Sequence, residues 1–164
     1  MNILSSLLPV NSVAIGLVER PFMRATGSTT NVNLSSGVIT QIPLYTVEFQ
    51  SEYSGISLDT TKYTILLEPG YYRVSGSIYF ASGTNYSVIN GVYIRMDSTD
   101  VAFASATEVA ASYIYGGYSV NASTIVKVVD NCYLWLGARS STTATVDTDN
   151  TATFLAVDKI GSIY

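Results

Sequence analysis

The sequence predicts an all-β fold, a jelly-roll β-sandwich of two antiparallel sheets with about 8–10 short strands, on three observations. Apolar and polar residues alternate with a period of two along several segments, most clearly Tyr71–Phe80 and Tyr118–Val129. Turn residues separate such segments, among them Glu68-Pro69-Gly70, Ser82-Gly83-Thr84-Asn85, Gly116-Gly117 and Asp130-Asn131. No stretch sustains the apolar spacing of an amphipathic helix; Ala104–Ala111 comes nearest, within a weak strand pattern.

Taken in order, the first 37 residues differ from the rest. Ile3-Leu4, Leu7-Leu8 and Val13-Ala14-Ile15 are apolar without a period, Pro9 and Pro21 break helices, and Ala25–Gly37 is a Ser/Thr/Asn/Gly stretch. This reads as an extended arm and linker, residues 1–37, ahead of a head domain over residues 38–164. Exposed aliphatics on a free tail are an aggregation liability, so Ile3, Leu4, Leu7, Leu8, Val13, Ile15 and Leu17 are expected to anchor the arm to a partner. The opening segment lacks a cationic stretch and is interrupted by Pro9 and Asn11, unlike a cleaved signal peptide.

In the head, Val38–Ile42 and Leu44–Phe49 form a pair of runs around Pro43, which suits an edge or a bulge. Tyr63–Leu67 is a short strand. In the next strand Tyr72, Val74, Gly76, Ile78 and Phe80 share one face, opposite Tyr71, Arg73, Ser75, Ser77 and Tyr79. Val88–Met96 follows, and then the weaker Val101–Ala106 and Val109–Tyr115. Val120, Ala122, Thr124, Val126 and Val128 share a face in the following run, and Cys132, Leu134, Leu136 and Ala138 oppose Tyr133, Trp135 and Gly137 in the one after. A polar loop, Arg139–Asn150, precedes a closing strand over Thr151–Ile160.

Composition narrows the function. Charged residues are only 12% of the 164, while 48% are apolar and 13 are Tyr, so the outward positions are filled by Tyr, Ser, Thr and Asn. A Tyr ring buries like Phe while its hydroxyl still seeks a polar partner, which suits a contact surface between subunits. A net charge of −4 with scattered cations gives no track for nucleic acid and no polybasic membrane patch. No apolar run is long enough to span a bilayer as a helix, so no membrane insertion is expected. The lone Cys132 lies in an apolar strand and reads as a small buried thiol.

Three segments resemble the globular heads of the complement-q and tumour-necrosis-factor superfamily and the similar trimeric modules of phage fibres. Gly70-Tyr71-Tyr72-Arg73-Val74-Ser75-Gly76 is similar to the family's glycine-x-tyrosine strand, Asp130-Asn131-Cys132-Tyr133-Leu134-Trp135-Leu136 to its acidic-turn strand, and Ala152-Thr153-Phe154-Leu155-Ala156-Val157 to its closing strand. The chain departs from the pattern in having Tyr72 and Val74 where a phenylalanine pair is usual, and no collagen-like stalk precedes the head. The resemblance implies a jelly roll that trimerises about an axis lined by aromatic and aliphatic side chains. Tyr71, Tyr79, Tyr93, Tyr133, Trp135, Leu155 and Val157 are the candidates for that interface, and Tyr86, Tyr113, Tyr115 and Tyr118 for a surface that binds a host glycan or receptor.

Catalysis is not expected. With no His, one core-like Cys and 12 dispersed acids, mostly at turns, nothing in the spacing assembles a general base, a nucleophile or a carboxylate pair. Asp97-Ser98-Thr99-Asp100 and Asp147-Thr148-Asp149-Asn150 carry the oxygen ligands that calcium takes, but a solvated turn accounts for them more simply, and no cofactor is expected. The combined expectation is a virion surface protein, most simply from a phage. Its arm would engage a capsid, portal or tail protein, and its homotrimeric head would project as a head fibre, decoration or fibre tip. Two other readings remain at this point, a secreted complement-q-like or tumour-necrosis-factor-like receptor ligand and a carbohydrate-active fibre enzyme.

Overall fold

The computed structural model describes residues 21–27, 31–51, 55–81, 88–97, 99–108, 117–149 and 151–163. Along these the strands are β1 (Phe22–Gly27), β2 (Val32–Leu34), β3 (Thr40–Gln41), β4 (Leu44–Gln50), β5 (Ile56–Asp59), β6 (Thr64–Leu67), β7 (Gly70–Phe80), β8 (Val88–Met96), β9 (Thr99–Glu108), β10 (Tyr118–Val128), β11 (Cys132–Ser140), β12 (Ala144–Val146) and β13 (Phe154–Gly161). Among the described residues there is no helix, and Ala104–Glu108 lies in β9. Val109–Tyr115 lies outside them.

Two sheets stack face to face. In the larger, β4, β1, β13, β7 and β10 lie side by side, and β12, carrying β2, continues past the end of β13 to meet β7 at Val146–Phe80. The smaller runs β5-β6-β11-β8-β9, with β3 also on β11. All of these strand pairings are antiparallel. From β6 to β12 the chain changes sheet between β6 and β7, β7 and β8, β9 and β10, β10 and β11, and β11 and β12, which is the winding of a jelly roll.

The period-two runs place their apolar members between the sheets. Tyr72, Val74, Ile78 and Phe80 of β7 and Val120, Ala122, Val126 and Val128 of β10 face Ile94, Leu134, Leu136 and Ala138 across one apolar core. Gly76 marks the closest approach, because a Cβ there would stand 2.7 Å from Leu136 Cδ1 and 3.1 Å from Ile94 Cγ1. Tyr72 is fully enclosed, and its hydroxyl donates to the Glu68 carbonyl at 2.7 Å, satisfying the one polar atom that the core takes in with it.

The pair of runs around Pro43 is not a hairpin. Gln41 pairs with Gly137 in the smaller sheet while Leu44 starts β4 in the larger, so the chain crosses the sandwich at Ile42-Pro43. A proline suits that step because it breaks the ladder between the two strands. Phe22–Gly27 and Val32–Leu34, read from the sequence as part of the arm, instead supply β1 and β2 of the larger sheet, with Met23, Ala25 and Leu34 in the core. The loop expected over Arg139–Asn150 likewise contains β12.

Candidate functional site

The outer face of the larger sheet is built by the residues that alternate with the core. Its register sets side chains in rows across the strands. One row runs Ser123–Ser75–Ala156–Arg24–Phe49, and the next runs Ile125–Arg73–Asp158–Phe22. These positions are outward because Leu155, Val157, Val74 and Met23 between them point inward.

The face is apolar at both sides and thinly charged in between. Ile125 is 61% exposed on β10, and Phe49 is 49% exposed on β4, its ring 6.1 Å from that of Phe22. Arg24 is held in place rather than free. Its guanidinium lies 4.0 Å from the Phe154 ring centroid, one terminal nitrogen donates to the Thr151 carbonyl at 2.6 Å, and Nε lies 3.0 Å from Glu48 Oε2, an ion pair off the line of a hydrogen bond. Phe22, Phe49, Ala156 and the stems of Arg73 and Asp158 border an open cleft of about 210 Å³. Open apolar rings on a sheet face with little charge to hold water form the kind of surface that another protein surface covers.

The residues singled out from the sequence fall in different places. Tyr71 and Tyr79 belong to this face; Tyr71 is exposed beneath Lys127, and the Tyr79 hydroxyl accepts from the Gly117 N–H at 3.0 Å. Leu155 and Val157 do not, since at 0% and 2% exposure they point into the core. The closing strand presents Phe154 and Ala156 outward instead. Tyr93, Tyr133 and Trp135 lie on the other sheet, on the far side of the sandwich, so no single flat seam takes in all of the candidates. Tyr118, expected to bind at the surface, stacks on Phe80 with centroids 5.9 Å apart and packs against the core. Tyr86, Tyr113, Tyr115 and the arm residues Ile3, Leu4, Leu7, Leu8, Val13, Ile15 and Leu17 lie outside the described residues.

Sequence reasoning missed Phe22, Arg24, Phe49, Phe154 and Ile125. The signal for Phe154 was the parity of β13, where the aliphatic Leu155 and Val157 claim the inward positions, whereas in β4 a register shift sets Phe49 opposite the outward Arg24 and Val47 opposite the inward Ala25, so the Tyr45/Val47/Phe49 alternation gave no guide to Phe49. Phe22 and Arg24 were hidden by a short strand in a Gly/Ser/Thr context.

The remaining chemistry is quiet. Cys132 is buried, and desolvation first, then the nearby Asp97 carboxylate, pushes its thiol up to about 11. The Asp147 carboxylate accepts the Asp149 N–H at 3.1 Å, an Asx turn, and the Asp59 carboxyl is held below its usual range by the Thr61 hydroxyl and the N–H groups of its own turn. Among the described residues no three His, Cys, Asp or Glu side chains converge as a metal site would require.

No protein family matches this sequence, and neither does any curated protein. Solved structures do match in shape. The crystal structure of murine APRIL at pH 5.0 superposes with a TM-score of 0.66 at 9% identity, covering 87% of this chain and 100% of that one. The structure of Eiger TNF from S. frugiperda gives 0.63 at 11% identity, covering 88% and 95%. With the winding of the two sheets, these likenesses show that the chain has the jelly-roll fold of tumour-necrosis-factor-like domains.

Proposed function

We propose that three copies of this chain associate through the outer face of β10-β7-β13-β1, and that the trimer is a non-enzymatic surface protein of a virion. It would be exposed as a head fibre, decoration or fibre tip and held to the particle by its N-terminal segment. The observation that carries the assembly is that Ile125, Phe22 and Phe49 stand exposed on this face, Ile125 and Phe22 in one row with Arg73 and Asp158 between them and Phe49 in the next, apolar and aromatic surface left open on a single copy. Covering it in a closed ring removes apolar area from water without leaving a free surface for further growth.

Two features of the sequence support the particle setting. The segment before Pro21 carries aliphatic residues suited to a partner groove, and the 12% charged composition suits a chain whose surface is largely taken up by contacts. Three equivalent heads on one particle would add avidity to weak contacts with a host receptor. A role without catalysis agrees with the absence of His from the chain and with a Cys132 thiol buried and pushed toward its neutral form.

Sedimentation velocity of the purified chain at micromolar concentration tests the assembly, with a trimer expected and a stable monomer overturning it. Removal of Met1–Arg20 tests the anchoring: the truncated chain is expected to remain trimeric but to be absent from particles produced in its presence. Normal incorporation of the truncated chain would refute the anchoring role.

A further inference from the structure

Tyr133 and Trp135, displaced by the topology from the proposed seam, form a second surface on the opposite sheet. They stand two residues apart on β11, so both rings leave the same face of the strand. The indole leans along the strand rather than away from it. At the next outward position Gly137 supplies no side chain, and a Cβ there would be 3.0 Å from Trp135 Cζ3. On the other side Trp135 Nε1 donates to the Asp97 carbonyl at 2.9 Å.

Asp97 in turn is tied to β11. Its N–H donates to the Tyr133 carbonyl at 2.7 Å, and its carboxylate accepts the Tyr133 N–H at 3.0 Å. A cation attends each ring. Lys62 Nζ lies 4.5 Å from the Tyr133 centroid and 3.2 Å from its hydroxyl, while the Arg95 guanidinium lies 4.8 Å from the Trp135 ring and pairs with Asp100.

Each ring therefore has one face under a cation and remains partly exposed, and the strip is rimmed by both donors and acceptors. Its charges are two cations, Lys62 and Arg95, against the carboxylates of Asp59, Asp97 and Asp100, so a polyanion finds no net attraction. A wholly apolar partner would strip water from those charges without replacing their hydrogen bonds. A ligand with apolar C–H faces, and with hydroxyls that both donate and accept, meets both requirements.

We propose that this strip is a binding platform for a neutral saccharide, with Tyr133 and Trp135 stacking on sugar rings and Lys62, Arg95 and Asp97 bonding their hydroxyls. The inference deepens the proposed function and rests on it in one respect: assembly through the larger sheet leaves this sheet facing outward, where three weak sites act together.

Trp135 is the only tryptophan in the chain, so its fluorescence reports on the platform directly. The full chain is titrated with neutral tetrasaccharides of glucose, galactose, mannose and N-acetylglucosamine, and in parallel with a sialylated tetrasaccharide and a proline-rich peptide. At least one neutral probe is expected to shift the emission saturably, and Tyr133→Ala, at an exposed position, to weaken that response at least about tenfold with an unchanged circular dichroism spectrum. Trp135→Phe, followed by calorimetry, is expected to retain binding because it keeps a ring at the position. The inference is overturned if no neutral probe responds, if the peptide or the sialylated probe binds more tightly, or if Tyr133→Ala binds like the unaltered chain. Sedimentation of the same samples separates the two readings. A trimer that ignores every neutral probe defeats the platform alone, and a monomer that still responds defeats the assembly alone.

Discussion

Tyr72 and Cys132 are each enclosed in the core with a proton that the surroundings help them keep. Desolvation raises the Tyr72 phenol to about 12 from its ordinary 10.0, and the Cys132 thiol to about 11 from 9.0. Both groups are neutral when protonated, so a raised value in the fold means that the unfolded chain loses its proton first. The stability they contribute is complete below pH 9, declines between pH 9 and 11 as the unfolded thiol ionises, and declines further up to about 12 with the phenol. Urea denaturation across this range is expected to lose on the order of 1–3 kcal/mol by pH 11, and Cys132→Ala to remove the earlier part of the loss. The same burial predicts that native Cys132 reacts with iodoacetamide at least about 100-fold more slowly than in urea at pH 8. Gly76 makes a separate demand on the core. A methyl group there meets Leu136 and Ile94, both fully buried, so Gly76→Ala is expected to cost about 1–3 kcal/mol in urea denaturation.

Among the elements, β7, β10 and β11 were legible because each holds the period of two over many residues and ends at a turn with its own chemistry. The faces of those strands were legible for the same reason. Which sheet each strand joins was not, because alternation tells inward from outward but carries no record of its neighbours. That is why Tyr71 and Tyr133 were grouped together although the sandwich lies between them. The short β1, β2 and β12 escaped notice because three to six residues cannot establish a period, and in β1 the inward set is Met23, Ala25 and Gly27, of which only Met23 is a large apolar residue. A contrast between truncations follows. Removing Met1–Arg20 is expected to leave the urea midpoint of the sandwich nearly unchanged. Removing Met1–Gly27 strips β1 from between β13 and β4 and takes Met23 and Ala25 from the core, and is expected to cost at least about 3 kcal/mol. Equal stability of the two truncations would mean that β1 is an ornament of the sheet.

At the scale of the whole molecule the two sheets present unlike surfaces, and the difference can be tested with charges. The outer face of the larger sheet places Ile125 and Phe22 in one row with Arg73 and Asp158 between them, while the smaller sheet carries Tyr133 and Trp135 among paired ions. If the first surface closes the trimer, Ile125→Glu replaces an apolar contact with a carboxylate in a seam that excludes water, and even with Arg73 beside it, stripping water from that ion costs several kcal/mol. Association is then expected to weaken by at least about 100-fold, giving monomers at micromolar concentration whose circular dichroism spectrum is unchanged, because Ile125 takes no part in the core. Tyr133→Arg, on the opposite sheet, is expected to remain trimeric. Because apolar contact rather than ion pairing would drive the association, the unaltered trimer is also expected to persist in 1 M sodium chloride, where exposed charges are screened over about 3 Å. A trimer that survives Ile125→Glu but falls apart on Tyr133→Arg would exchange the roles of the two sheets, with the smaller one forming the seam and the larger one facing outward.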